Sequence, residues 1–174
     1  MKTLIIVDMQ NDFITGPLGT PEAQKVEKHI VKWLHSFSYD RIYVTRDTHG
    51  SNYLATPEGI KLPVPHCTRG TDGWQVSSAI MEELEKPGIH YAFIDKTTFG
   101  YPAWDFEDLR GADDDEIILV GVCTDICVIS NALILKSMFP YAHIRVIPSL
   151  CAGTTPEMHD KALDVMRSCQ IDIV

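Results

Sequence analysis

Continuous apolar runs of four or five residues alternate along this chain with stretches whose apolar positions recur every three to four residues. Thr3–Val7, Arg41–Thr45, Tyr91–Ile94, Ile117–Val120, Ile144–Ile147 and Ile171–Val174 read as strands. Unbroken apolar strands are those buried on both faces, which is the signature of a parallel sheet covered by helices. Between them, Val26, Ile30, Trp33, Leu34 and Phe37 fall on one helical face, and Val76, Ile80, Met81 and Leu84 on another that Pro87-Gly88 ends. A short helical patch is expected over Asp105–Leu109, closed by Gly111. An almost wholly apolar, buried helix should follow Ile117–Val120. Thr155-Pro156 opens the last helix, with Met158, Ala162, Val165, Met166 and Cys169 as its buried side. The pattern predicts one three-layer α/β/α domain over residues 1–174 with a six-stranded, mostly parallel sheet.

The bulk numbers narrow the functional classes. A chain of 174 residues, 45% hydrophobic and 22% charged, has the make-up of an ordinary globular domain. A formal net charge of −9 without any Lys/Arg cluster argues against nucleic acid and against an anionic membrane as partners. The N-terminal apolar stretch is too short for a leader or a membrane span, so a cytoplasmic location is expected. Five irregularly spaced cysteines suit reduced thiols better than a disulfide framework. Four of them, Cys67, Cys123, Cys151 and Cys169, read as small buried apolar groups, and Asp113-Asp114-Asp115-Glu116 reads as a solvated loop.

Ligands of open parallel sheets bind beyond the carboxyl ends of the strands, and reactive residues collect there. Asp8 ends the first strand, Asp47 follows the second, Lys96 the third and Cys127 the fourth. A cysteine in the first turn of a helix is expected to favour its thiolate, because free N–H groups and the helix dipole face it. Asp8, Lys96 and Cys127 complement one another as proton acceptor, cation and nucleophile. The long segment from Asp47 to Gly73 carries Asp47, His49, Glu58 and His66, two carboxylates and two imidazoles that suit zinc or another first-row divalent ion, with Cys67 as an alternative ligand. His29, His35, His90, His143 and His159 are assigned no role.

The motifs Val7-Asp8-Met9-Gln10-Asn11-Asp12-Phe13, Thr45-Arg46-Asp47-Thr48-His49, Pro65-His66-Cys67-x-x-Gly70-Thr71-x-Gly73 and Gly121-Val122-x-Thr124-Asp125-Ile126-Cys127-Val128, with Lys96, resemble those of the isochorismatase-like cysteine hydrolases. Within that superfamily the nicotinamidase/pyrazinamidase branch is the most similar. The resemblance implies a Rossmann-like fold and a catalytic triad of Asp8, Lys96 and Cys127. It also implies metal ligands Asp47, His49 and His66, with Glu58 standing where many relatives have a further histidine. It further implies a cis peptide at Val122–Cys123 and an oxyanion hole made by the backbone N–H groups of Cys123 and Cys127.

The activity so implied is deamination of nicotinamide or a similar small carboxamide through a thioester, in NAD salvage, with zinc as cofactor and iron or manganese as alternatives. Pro63 stands where the branch usually has a ring-stacking aromatic, and Phe13, Phe99, Tyr101 and Trp104 are the candidates to replace it. Hydrolysis of another amide, ureido or carbamoyl compound is the enzymatic alternative. A metabolite-binding or redox-sensing module is the non-enzymatic one. The resemblance also admits a homo-oligomer.

Overall fold

All six expected strands form in a computed structural model that describes residues 1–105 and 115–174. They are β1 (Lys2–Val7), β2 (Arg41–Asp47), β3 (Tyr91–Lys96), β4 (Glu116–Val122), β5 (His143–Ala152) and β6 (Asp172–Ile173). Their order across the sheet is β3-β2-β1-β4-β5-β6, with every neighbouring pair parallel. The chain therefore winds outward in one direction from β1 and in the other from β4. The crevice between those two strands is the point where such sheets bind ligands.

The helices are α1 (Asn11–Ile14), α2 (Pro21–Leu34), α3 (Pro57–Lys61), α4 (Ser78–Leu84), α5 (Ile129–Met138) and α6 (Pro156–Ser168). Alternate residues of β1 feed two cores. Leu4 and Ile6 pack with Val26 and Ile30 of α2 and with Ile80 and Leu84 of α4. Ile5 and Val7 pack on the opposite face with Ala132 and Leu135 of α5 and with Leu163 and Met166 of α6. Each such side chain, fully removed from water, contributes about 1.5–3 kcal/mol to holding a helix layer on the sheet. α2 and α6 each begin with proline behind a threonine cap. Thr20 accepts from the Ala23 N–H and Thr155 from the Met158 N–H.

Several strands run further than their apolar cores. β2 reaches Asp47 and β3 reaches Lys96, whose Cα atoms are register partners. β5 continues past Pro148 to Ala152 through a register shift against β4, between Leu119 and Gly121. The bulge absorbs the proline, which has no N–H to give a ladder.

Other expectations need correction. Met158, Val165 and Cys169 are exposed, and the buried stripe of α6 runs through Ala162, Leu163 and Met166. Leu163 recentres it. Phe37 lies beyond the end of α2 and is exposed, its ring tilted against Trp33 at 4.9 Å. Asp115 is buried rather than solvated, because the Met1 amino group approaches its carboxylate to 2.6 Å. The patch expected over Asp105–Leu109 falls on residues 106–114, outside the described residues but for Asp105. Among the described residues no helix is long and apolar enough to cross a membrane.

Candidate active site

The strand ends bring a carboxylate, an ammonium and a thiol together at the β1/β4 crevice. Asp8 follows β1 at a φ of 48°, a left-handed turn that aspartate tolerates better than most residues. Its Oδ1 accepts a 2.6 Å hydrogen bond from Thr45 Oγ1, and its Oδ2 lies 2.6 Å from Lys96 Nζ. Lys96 Nζ in turn donates to Cys127 Sγ at 3.6 Å. All three groups are buried. The β1–β4 contact that permits this approach depends on Gly121. It has a φ of 117°, and a Cβ there would stand 2.2 Å from the Val7 carbonyl oxygen.

Cys127 sits in a single π-helical turn, Thr124–Val128, that leads into α5. The peptide Val122–Cys123 before it is cis. Enclosure works against the thiolate that a helix start favours. Burial, followed by the Asp8 charge, raises the Cys127 thiol well above the usual range, and Lys96 only partly offsets this. A thiol enclosed this deeply keeps its proton until a base removes it. Burial also raises Asp8 despite the opposing pull of Lys96, the direction that makes a carboxylate a stronger base. Burial alone would lower Lys96, but the charges of Asp8 and Asp47 hold it firmly protonated.

Beside this trio the segment after β2 folds back as a cluster of four metal-type donors. Ligand atoms of Asp47, His49, Glu58 and His66 all lie within 4.8 Å of one another. Asp47 Oδ2 is 2.8 Å from His49 Nε2 and 3.4 Å from His66 Nε2, and Glu58 Oε1 is 3.7 Å and 3.9 Å from the same two nitrogens. His66 Nδ1 lies 2.8 Å from the Val64 carbonyl oxygen; donating there leaves Nε2 free as a lone-pair donor facing the cluster. Burial pushes Asp47 up, but its contacts with the His49 and His66 rings and the charge of Lys96 outweigh it and keep the carboxylate ionised. Two nitrogen and two oxygen donors converging in a half-buried cradle fit a first-row divalent cation. Glu58 reaches it from α3, a helix inside what the sequence presents as a plain loop. Cys67 is not among these donors. It is fully buried, and burial followed by nearby carboxylates raises its thiol far above the usual range.

A cavity of about 450 Å³ opens onto both groups. Asp47, Glu58, His66 and Cys127 form its polar end, and Phe13, Phe99 and Cys123 also line it. The Phe13 ring meets the His66 ring edge-on at 5.5 Å. Cys123 is thus a cavity residue as well as a small apolar group, with its thiol raised to about 12 by burial. Tyr101 and Trp104, expected as ring walls, do not line this cavity. Trp104 packs in the core against Tyr43 and Tyr101, and its Nε1 donates to Asn131 Oδ1.

Residue-by-residue reading of the sequence missed the supports. Gln10 is fully buried and clamps Asp47 from both sides: its Oε1 accepts from the Asp47 N–H, and its Nε2 donates to the carbonyls of Asp47 and Trp74. Asp12 Oδ2 accepts from the Cys67 N–H next to His66, and Gly73 is glycine because a Cβ would lie 2.2 Å from both oxygens of Asp12. Asn131 donates to the Cys127 carbonyl and accepts from the Tyr101 N–H. Gln10 and Asp12 stand inside the first motif, so that signal was present; nothing marks Asn131 within its apolar helix.

Comparison with known proteins agrees with this geometry. The isochorismatase domain model matches residues 2–174. A nicotinamidase/pyrazinamidase of Mycobacterium tuberculosis is 30% identical over 100% of this chain and 98% of its own length. The structure of a pyrazinamidase/nicotinamidase of Streptococcus mutans superposes with a TM-score of 0.82 at 28% identity, over 100% of both chains. A pyrazinamidase of Pyrococcus horikoshii, solved in complex with zinc, gives 0.75 at 26% identity over 99% of this chain and 98% of that one. With its motifs, sheet order and site thus accounted for together, the chain belongs to the isochorismatase family.

Proposed function

We propose that the protein is a metal-containing cysteine amidohydrolase that converts nicotinamide, or a closely similar small carboxamide, to the carboxylic acid and ammonia. That it is an amidohydrolase acting on an amide C–N bond follows from its kinship with nicotinamidases. The observation that carries the finer reading is the position of Lys96 Nζ, 2.6 Å from Asp8 and 3.6 Å from the Sγ of Cys127, which itself lines a cavity of about 450 Å³.

The steps follow from the charges in place. Asp8, ionised and made more basic by burial, takes the proton of the Cys127 thiol, and the fixed ammonium of Lys96 stabilises the sulfur anion as it forms. The sulfur attacks the carboxamide carbon, and the C=O electron pair moves onto oxygen. Backbone N–H groups of Cys123 and Cys127 are assigned to that oxyanion; in well-studied hydrolases each such donor lowers the barrier by about 3–4 kcal/mol. Collapse breaks the C–N bond, and the leaving amine takes the proton from Asp8 and departs as ammonia. A water then gives a proton to Asp8 and attacks the thioester. The second collapse expels the sulfur, which recovers its proton from Asp8.

Asp47, His49, Glu58 and His66 would hold zinc, or iron or manganese in its place, and the bound cation would supply a Lewis-acid anchor that orients the substrate. Phe13, beside His66, is the ring wall that serves where Pro63 has none, with Phe99 nearer the mouth. Nicotinate released in this way would feed NAD salvage in the cytoplasm.

Ammonia release from nicotinamide and pyrazinamide, set against aliphatic, ureido and carbamoyl compounds, tests the reading. Cys127→Ala should abolish release while keeping the fold and metal content. Normal turnover by that variant would refute the covalent route.

A further inference from the structure

We infer that the substrate cavity extends past the reacting end into an apolar arm, and that the enzyme favours ring carboxamides bearing an apolar substituent of about three to six non-hydrogen atoms. This rests on the amidohydrolase reading and sharpens its substrate class.

Volume and lining both point there. The nine non-hydrogen atoms of nicotinamide, at about 30 Å³ for each water-sized group, fill roughly 270 Å³ at most. The cavity holds about 450 Å³. The remainder is room for at most about six more groups of that size, fewer once a cation sits at the donor cluster. The polar side chains that would fix a carboxamide, Asp47, Glu58, His66 and Cys127, are grouped at the chemistry. Leu18 after α1, Ala23 on α2, Ile126 on the nucleophile turn, and Leu62 and Phe99 give the arm a mainly apolar wall, interrupted by Thr20, Lys61 and Thr154.

Exposure gives the arm a direction. Cys127 and His66 are buried at 5% and 3%, whereas Leu62 is 39% exposed and Phe99 47%. Leu62 and Phe99 therefore mark the mouth, beside the exposed Lys61 and Thr154, and uncovered apolar surface there signals something that binds. This mouth is built rather than loose. Asn131 Nδ2 donates to the Phe99 carbonyl at 3.4 Å and to the Cys127 carbonyl at 2.8 Å, so one side chain fixes rim and nucleophile together. A lone nicotinamide would leave this wall wet, whereas an alkyl group on the ring would cover it.

The test uses zinc-loaded protein, with nicotinamide and its 5-propyl and 6-propyl derivatives as probes. Calorimetric titration of the Cys127→Ala variant reads affinity without turnover. Each methylene taken into an apolar site is worth about a fourfold gain, so at least one propyl isomer should bind more than about tenfold tighter than nicotinamide. The wild type should rank the same compounds in the same order by kcat/KM for ammonia release. Leu62→Asp, which puts a charge on the arm, should bring the propyl-to-nicotinamide affinity ratio close to one.

Equal or weaker binding of both propyl isomers overturns the inference, as does a ratio that Leu62→Asp leaves unchanged. The two readings fail separately. Absence of ammonia from every probe defeats the hydrolytic reading, and the affinity ranking still decides the arm. Turnover of nicotinamide without any propyl advantage defeats the arm alone.

Discussion

Lys96→Met is the sharpest perturbation that this site offers. The side chain is fully buried, and its ammonium stands 2.6 Å from Asp8, 3.6 Å from Cys127 Sγ and 3.8 Å from Asp47. Methionine fills nearly the same volume, so the change removes a charge with little loss of packing. At an effective dielectric of about 20, a unit charge 3.6 Å from a sulfur anion is worth roughly 4–5 kcal/mol, which is about a thousandfold in rate when it stabilises only the attacking state. A second effect adds to the first. Without its counter-charge a buried Asp8 carboxylate costs several kcal/mol to keep ionised, so it takes up a proton and is lost as a base near neutral pH. Steady-state ammonia release across pH, on protein of verified zinc content, should show kcat down at least about a thousandfold near neutrality. The acid limb should move upward, with partial recovery as the medium becomes alkaline and Asp8 ionises again. A variant within about tenfold of the wild type, with its acid limb unmoved, would refute the role given to Lys96.

Three further outcomes follow from the same geometry. Thr45 Oγ1 donates to the ionised form of Asp8 and so holds its pKa down; Thr45→Val, costing about one hydrogen bond, should move the acid limb of the rate profile up by about one pH unit, and a downward shift would contradict the assignment. His66→Ala removes one of the four donors, so zinc retained after gel filtration, read by elemental analysis, should fall with at least about a hundredfold loss of affinity, and full occupancy would remove His66 from the ligand set. Gly121→Ala forces a Cβ onto the Val7 carbonyl at a φ of 117°; a cost of about 4 kcal/mol should lower Tm by roughly 10 °C, and an unchanged melting curve would mean that β1 and β4 need no such approach.

The architecture was legible in the sequence because continuous apolar strands and helical stripes are local signals, and each strand expected from them formed. Strand length was not. Asp47 and Lys96 are polar, so an apolar run stops before them, yet the ladder continues because their side chains find partners in each other's neighbourhood. The same limit explains Asp115, whose burial depends on an amino group far away in sequence. At the site, motif spacing identified the donors, and the fold brings them together. The opposition of burial to the Cys127 thiolate was not legible, since position at a helix start is visible in sequence whereas enclosure is not. Trp104 was misplaced for a related reason: an aromatic near a motif can as readily serve the core as the cavity.

Asp47 turns one oxygen to the ammonium and the other to the two imidazoles. Gln10, bonded to its main chain on both sides, denies it the freedom to favour either neighbour. Electrostatic tuning of the proposed nucleophile and of the proposed metal anchor therefore passes through a single shared carboxylate. A lineage adjusting one of these devices must retune the other in the same step, which ties the two chemistries into one inherited unit.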